Sequence, residues 1–276
     1  MIMEFVTKNR VIIAILLTII FSILCCRSKI IKYTMEGFDE QIKLRLYVIN
    51  MEKDKERYQK LLKYYNYSDL TALSLHRYNA VIGKTVPPEK WLSNDALSEL
   101  KSIEKNGFRT HHHSLTRGGL GCFLSHYNLA KQLLQDSSVD AYLIFEDDTT
   151  MLSSTYDQIL KSMRDAPSDW DMLLFYTIRA VGRSKNETFN KLKSFWGMNC
   201  YILKKSGAKK FVDEVNKTRI DGQVDCYLSR MIQQKKMNIY STKTHFVSSN
   251  SKDTNIQTLL KPQQNVDPYD YKGYRV

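Results

Sequence analysis

The sequence is poor in cysteine, and its five cysteines do not suit a disulfide framework. Cys25 and Cys26 lie together near the start of the chain, whereas Cys122, Cys200 and Cys226 are widely separated in the body. An odd number leaves at least one thiol unpaired, so the fold must be held by its core and not by cross-links. With 276 residues and 43% hydrophobic content, the chain can bury one substantial core, or at most two small ones.

Several motifs that bind nucleic acids and nucleotides are also missing. There is no zinc-finger spacing and no RNP-like aromatic motif, so we expect no nucleic-acid partner despite a net charge of +12. Gly118, Gly119 and Gly121 lack both the Lys-Ser/Thr of a phosphate loop and the GxGxxG spacing of a dinucleotide site. A metal-dependent phosphoryl-transfer enzyme would need a phosphate-gripping Lys or Arg motif, and we find none.

One long uncharged stretch is present near the N-terminus, from Val11 to Cys26. It is slightly short for an upright membrane span but too uniformly apolar for one face of a surface helix. We interpret residues 11–26 as a transmembrane signal-anchor within an N-terminal segment of residues 1–33. A cleaved signal peptide is the alternative, which the lack of a small-x-small cleavage site disfavours. Basic residues on both sides leave the orientation open.

This anchor predicts a single-pass membrane protein whose body, residues 34–250, faces the lumen of the endoplasmic reticulum, the Golgi or an equivalent compartment. Three Asn-x-Ser/Thr sequons, at Asn66, Asn186 and Asn216, are compatible with that location. Periodicity fades after about residue 250, so we interpret residues 251–276 as a C-terminal tail.

Strand-like and helix-like patterns alternate through the body, which predicts an α/β fold. The segments in order are residues 43–50 (strand), 52–65 (helix), 73–81 (strand), 93–105 (helix), 109–119 (loop), 119–135 (helix) and 141–146 (strand). The loop holds three adjacent histidines, but consecutive side chains point in different directions, so we do not expect a metal there.

An acidic triplet, Glu146, Asp147 and Asp148, directly follows the apolar run "AYLIF". Carboxylates packed at the end of a buried strand repel one another and lose water, and a divalent cation removes that cost. Open α/β sheets place ligands at the carboxyl ends of their strands, and Mg²⁺ or Mn²⁺ bound by such oxygens can hold a diphosphate. The alternative is an acidic turn in which Asp148 caps a following helix.

Three other residues have both a functional and an ordinary interpretation. Asp171 belongs to an Asp-x-Asp that precedes an apolar strand, a position that favours a turn or cap. Asp225 precedes the helical stretch "CYLSRMIQ", where an acid also stabilises the helix dipole. His126 lies at the edge of a helical apolar stripe, as a hydrogen-bonded core histidine would.

Six blocks, in order, carry a family resemblance over roughly residues 43 to 250. They are "LRLYVINMEKDKERYQKL", "LTRGGLGCFLSHYNLAKQL", "AYLIFEDD", "DWDMLLFY", "NCYILKKSGAKKFV" and "GQVDCYLSRMI". Together they resemble glycosyltransferase family 25, the group of lipooligosaccharide-type and procollagen galactosyltransferases.

The resemblance implies a GT-A-like, Rossmann-like sheet that binds a nucleotide sugar and is flanked by helices, preceded here by one N-terminal transmembrane helix. It implies a UDP-sugar donor, a Mn²⁺ or Mg²⁺ ion at the acidic triplet, and transfer of a hexose, galactose or glucose, with inversion. The acceptor would be a hydroxyl of a glycan or of a protein, for example a collagen-like hydroxylysine.

The resemblance also implies roles for individual residues. The metal ligands would be Asp148 first, with Asp147 and Glu146. Donor contacts would come from Asn50, Arg57, Ser125, Glu146 and Asp147. The catalytic candidates are Asp225 as base or acceptor-positioning residue, then Asp171, with His126 as an active-site neighbour.

The sequence departs from the family pattern at Met51, in place of Leu, and at Gly119, where an acidic residue is common. If that acid organises the active-site loop, its loss would favour a catalytically inactive, membrane-tethered protein that binds a sugar nucleotide or glycan.

Overall fold

An eight-stranded mixed sheet organises the residues that the computed structural model describes, 42–109 and 113–249. The strands are β1 Leu44–Asn50, β2 Leu75–Asn79, β3 Ala141–Glu146, β4 Thr149–Met151, β5 Met172–Leu174, β6 Arg179–Ser184, β7 Phe189–Trp196, β8 Cys200–Lys204, β9 Ile239–Thr242 and β10 Val247–Ser249. The order in the large sheet is β2-β1-β3-β8-β5-β9-β7-β6, and β4 pairs separately with β10. The predicted α/β fold is therefore confirmed.

Strand direction decides which side chains meet at each edge of the sheet. β1 is parallel to both β2 and β3, whereas β8 is antiparallel to β3 and to β5. Leu46 to Asn50 of β1 and Ala141 to Phe145 of β3 are buried, as expected for strands covered on both faces. The carboxyl ends of β1 and β3 therefore lie side by side.

Helices cover this sheet within the described part of the chain. They are α1 Lys55–Tyr67, α2 Asn94–Asn106, α3 Arg117–Gln135, α4 Thr155–Asp165, α5 Lys205–Thr218 and α6 Val224–Gln233. The central helix α3 packs against α5, and α6 packs on β7. Phe123, Tyr127, Phe211 and Tyr227 form the aromatic centre of this layer.

Two expectations about local structure were wrong. The predicted loop of residues 109–119 ends earlier, because the hydroxyl of Thr116 accepts a hydrogen bond from Gly119 N and starts α3 at Arg117. Asp148 does not cap a helix, since the next element is β4, which is held by its antiparallel partner β10.

The predicted anchor, residues 11–26, and the tail, residues 251–276, lie outside the described residues. Within the described ranges, no helix has the length and apolar character needed to cross a bilayer.

Two glycines allow α3 to approach the segment that follows β2. A Cβ added to Gly121 would collide with the carbonyl oxygen of Val81 and lie 2.7 Å from Gly83 N. Neither neighbour is a flexible side chain, so the backbone itself would have to move.

We expect Gly121→Ala to lower the free energy of unfolding by about 2 kcal/mol or more, because overpacking outweighs the better helix propensity of alanine. Gly222→Ala is the control, since its added Cβ would meet nothing closer than His113 O at 3.5 Å. Urea unfolding measures both variants. A stabilised Gly121→Ala variant would show that the two segments are not in tight contact.

Candidate active site

Side chains from β1 and β3 meet where these parallel strands end. Ile49 pairs with Glu146, so Asn50 and Asp147 leave the sheet as neighbours. Asn50 is buried, and its Nδ2 donates a hydrogen bond to Oδ2 of Asp147 at 2.7 Å. Its Oδ1 accepts one from Nε of Arg77 at 2.9 Å. A buried, fully bonded amide therefore fixes one side of the acidic triplet.

Arg57 supplies the positive charge at this edge. It lies in the first turns of α1, and its Nη2 is 2.5 Å from Oδ1 of Asp147 and 3.8 Å from Oδ2 of Asp148. The family resemblance implied that Arg57 contacts the sugar donor. In the structure this arginine faces the acids and is not a solvated surface residue.

Neutral groups orient Asp148. Nδ2 of Asn199 donates to its Oδ1 at 2.7 Å, and the hydroxyl of Ser249 donates to its Oδ2 at 3.0 Å. Asn199 precedes β8, and its carbonyl oxygen accepts hydrogen bonds from Glu146 N and from the Thr149 hydroxyl. Two neutral hydrogen bonds therefore fix the orientation of the Asp148 carboxylate, while Arg57 stays 3.8 Å from it.

The acids carry more negative charge than their surroundings compensate. Burial raises the pKa of Asp147 to about 6, against the opposing effects of Asn50 and Arg57. Burial, and then the charge of Glu146, raise the pKa of Asp148. A hard divalent cation would relieve this repulsion. Carboxylate oxygens are the ligands that Mn²⁺ and Mg²⁺ favour, and of the two aspartates Asp148 is the more available because Asp147 is already bound by Asn50 and Arg57.

Glu146 directs one carboxylate oxygen toward α3 and the other toward Asn199, the partner of Asp148. Its Oε1 lies 3.3 Å from Nε2 of His126, and its Oε2 lies 3.5 Å from Nδ2 of Asn199. Nδ1 of the buried His126 shares a hydrogen bond with the Tyr201 hydroxyl at 2.7 Å. The three acids thus share some partners, Asn199 between Glu146 and Asp148 and Arg57 between Asp147 and Asp148, but only Glu146 contacts His126.

Asp225 borders the same edge from α6. Its Oδ2 accepts a hydrogen bond from Gly197 N at 3.0 Å, and its Oδ1 accepts one from Cys226 N at 2.8 Å. Gly197 has a positive φ of 78° and lies two residues before Asn199, the partner of Asp148. One short segment between β7 and β8 therefore contacts both Asp225, a predicted catalytic residue, and Asp148, a predicted metal ligand.

Asp171 is not part of this cluster. It directly precedes β5, which runs parallel to β3, so it lies at the opposite edge of the sheet, roughly 17 Å from the acidic triplet along the strand direction. Its carboxylate accepts hydrogen bonds from Ser206, Lys210 and Asn238 N. The Asp-x-Asp therefore anchors α5 and the start of β9, as the ordinary interpretation of a turn or cap predicted.

Ser125 is fully buried, so its side chain has no accessible surface with which to contact a nucleotide-sugar donor. Its hydroxyl donates to the carbonyl oxygen of Gly121 and accepts a hydrogen bond from Val81 N. The structure places it in the core as a link between α3 and the segment after β2.

Sequence reasoning missed several residues of the site: Arg77, Cys122, Asn199, Tyr201 and Ser249. For Cys122 a signal existed, because it precedes His126 by four residues on a predicted helix, which places both side chains on one face. Asn199 and Ser249 had no such signal, since strand pairing alone brings them to Asp148.

The raised pKa of Asp147 predicts a pH-dependent stability. Its folded pKa of about 6 exceeds the usual value, so protonation stabilises the fold at low pH, and this contribution is lost as the pH rises through about 6. In the presence of a chelator, we expect the unfolding free energy of the wild type to fall by about 1 to 3 kcal/mol relative to Asp147→Asn between pH 4 and 7.

The comparison with Asp147→Asn cancels the titration of other groups, and chemical unfolding at each pH provides the measurement. If the unfolding free energy of the wild type relative to that of Asp147→Asn stays constant with pH, or increases as the pH rises, Asp147 is not desolvated.

Comparison with known proteins gives a consistent result. The sequence model of "Glycosyltransferase family 25 (LPS biosynthesis protein)" matches residues 43–228, about two thirds of the chain. The match covers β1 through the start of α6 and includes the acidic triplet and Asp225.

Individual relatives are identical to this chain at about one aligned residue in four. A "Glycosyltransferase 25 family member" of Anopheles gambiae is 27% identical over 177 residues, 61% of this chain and 28% of that protein. "Procollagen galactosyltransferase 2" of Homo sapiens is 26% identical over 188 residues, 64% of this chain and 28% of that protein. A protein of Acanthamoeba polyphaga mimivirus, named as a glycosyltransferase, is 26% identical over 184 residues, which are 62% of this chain and 52% of that protein. This chain thus spans about a quarter to a half of these relatives.

Proposed function

Because the chain belongs to glycosyltransferase family 25, we propose that it transfers a hexose, galactose or glucose, from a UDP-sugar to a hydroxyl of a glycan or protein. The observation that carries the proposal is the partly buried acidic triplet at the carboxyl end of β3, beside the carboxyl end of β1, where open α/β sheets bind their ligands. We further propose that this sheet corresponds to the nucleotide-sugar-binding half of a GT-A fold.

Asp148 is the proposed primary ligand of a Mn²⁺ or Mg²⁺ ion. Asn199 and Ser249 hold its carboxylate in place, and Asp147 adds negative charge nearby. When bound, such an ion neutralises the charge that develops on the diphosphate leaving group. Arg57 lies at the same edge and offers a second positive charge to the phosphates.

Asp225 is the proposed base or acceptor-positioning residue of an inverting transfer. An acceptor hydroxyl must lose its proton on the face opposite the leaving group, and a fixed carboxylate can take it. Two backbone N–H groups hold Asp225 in one orientation. His126 acts through Glu146, whose carboxylate it faces at 3.3 Å.

The test is release of UDP by the full-length chain from a panel of UDP-sugars, with Mn²⁺ or with chelator. We expect turnover of one donor, lost with chelator and reduced roughly 100-fold or more in Asp148→Asn, because a preorganised charge partner of the leaving group is removed. Asp225→Asn should bind the donor normally and lose transfer, by about 100-fold or more.

Asp169→Asn is the matched control, since Asp169 bonds to Tyr240 and Lys191 and belongs to the Asp-x-Asp at the other edge. Donor binding without turnover under every acceptor would support the inactive binding protein that Gly119 suggests. No donor binding, or equal loss in Asp169→Asn, would contradict the proposed site.

We also propose that residues 11–26 anchor the protein in a membrane with the body on the lumenal side. The three sequon asparagines, Asn66, Asn186 and Asn216, are exposed in the structure. We expect at least one to carry a glycan in a secretory cell, seen as a mass shift that endoglycosidase removes and that Asn→Gln at the three positions abolishes. An unmodified protein would contradict the lumenal orientation.

A further inference from the structure

A cysteine, a histidine and a glutamate converge beside the proposed donor site. Sγ of Cys122, a ring nitrogen of His126 and a carboxylate oxygen of Glu146 all lie within 4.8 Å of one another. Within residues 42–109 and 113–249, this is the one set of three such side chains that meets this closely. Members of the acidic triplet do not form such a set with each other.

His126 directs an unsatisfied nitrogen into this cluster. Its side chain is 1% exposed, and its Nε2 makes no hydrogen bond, because Glu146 at 3.3 Å lies out of line. Its Nδ1 is already bonded to the Tyr201 hydroxyl. An unpaired buried ring nitrogen is costly, so a partner at this point is expected.

We propose that Cys122, His126 and Glu146 form a binding site for a zinc-class divalent ion, separate from the site of the hard ion at Asp148. Thiolate, imidazole and carboxylate are the ligands that Zn²⁺ takes in proteins, whereas Mn²⁺ and Mg²⁺ favour oxygen alone. Three protein ligands leave one position open, for water or for a group of a bound substrate.

The geometry suits tetrahedral coordination. Cys122 and His126 lie four residues apart on α3, so both reach the same side of the helix. Bond lengths of about 2.0 to 2.3 Å place the ligand atoms of a zinc ion about 3.5 Å apart, so side-chain rotations of roughly an ångström close the site. Tyr201 would accept the hydrogen of Nδ1 and thereby present the lone pair of Nε2 to the ion.

The charge balance also favours a cation. The ion would displace the thiol proton of Cys122 to solvent, and the resulting thiolate together with Glu146 would neutralise two positive charges. The carboxylates of Glu146, Asp225 and Asp148 all act on Cys122. A cation therefore enters a region of negative potential, beside a cysteine residue that is partly exposed.

A bound ion would link two elements of the fold in addition to changing the local charge. The ion would join α3 to the end of β3 and hold Glu146 toward the helix, away from Asp148. The donor site would then rely on Asp148 and Asp147 alone.

Titration of the full-length chain with Co²⁺ tests the proposal, with Cys25 and Cys26 both changed to Ser so that their thiols do not contribute. We expect a near-ultraviolet thiolate-to-cobalt band that Cys122→Ser abolishes. His126→Gln should weaken Co²⁺ binding at least tenfold, and Tyr201→Phe by roughly tenfold, the usual effect of losing an outer hydrogen bond.

Two variants serve as controls. Cys226→Ser removes another thiol of the body, and Asp148→Asn removes the hard-ion ligand, so both should keep the band. Absence of the band in the parent protein, or its survival in Cys122→Ser, would overturn the proposal. Loss of the band in Asp148→Asn would overturn the separation of the two sites, whatever the outcome of the UDP-sugar assay.

A second measurement needs no variant at the site itself. In Asp148→Asn protein, Zn²⁺ should slow alkylation of Cys122 at least tenfold, as measured by peptide mass spectrometry, whereas Mn²⁺ should not. Equal rates with and without Zn²⁺ would overturn the site even if Cys122→Ser failed to fold.

Discussion

Partly buried carboxylates at the end of β3 impose the constraint on which the rest of the site depends. The apolar run of β3 is buried, and the acidic triplet follows it directly, so these acids lose part of their contact with water. Because burial raises the pKa values of Asp147 and Asp148, the fold has to supply partners for these acids. Asn50, Arg57 and Asn199 are those partners, and each comes from a different element.

The three acids differ in the charge of their partners and in how close those partners lie, and we infer a different role for each acid. Asp147 is paired with the guanidinium of Arg57, so it is mainly structural in the absence of a donor. Asp148 accepts its hydrogen bonds from neutral groups, and the guanidinium of Arg57 lies farther from it, at 3.8 Å, than from Asp147, at 2.5 Å. Glu146 turns to α3, where it meets His126. The sequence suggested Asp148 as the first metal ligand with Asp147 and Glu146 beside it, and the contacts of the three acids differ in the same order.

The parts of the fold that the sequence predicted are those in which local pattern and tertiary environment agree. β1 and β3 are continuous apolar runs, and α3 has an apolar stripe that fits only a helix, so all three were recognisable. Contacts between distant segments were not. The role of Asp171 depends on the direction of β5 relative to β3, and that of Ser125 depends on the close approach of α3 to Val81. Asn199 and Ser249 reach Asp148 only through strand pairing, which periodicity does not encode.

The central claim is that Asp148 holds the cation that binds the donor. Its most direct test is anomalous diffraction at the manganese edge from crystals grown with Mn²⁺ and UDP. The account predicts one peak bonded to a carboxylate oxygen of Asp148 at about 2.1 Å, with the diphosphate on its other side. A peak at Asp169 or Asp171, or UDP bound with Asp148 still held only by Asn199 and Ser249, would contradict it.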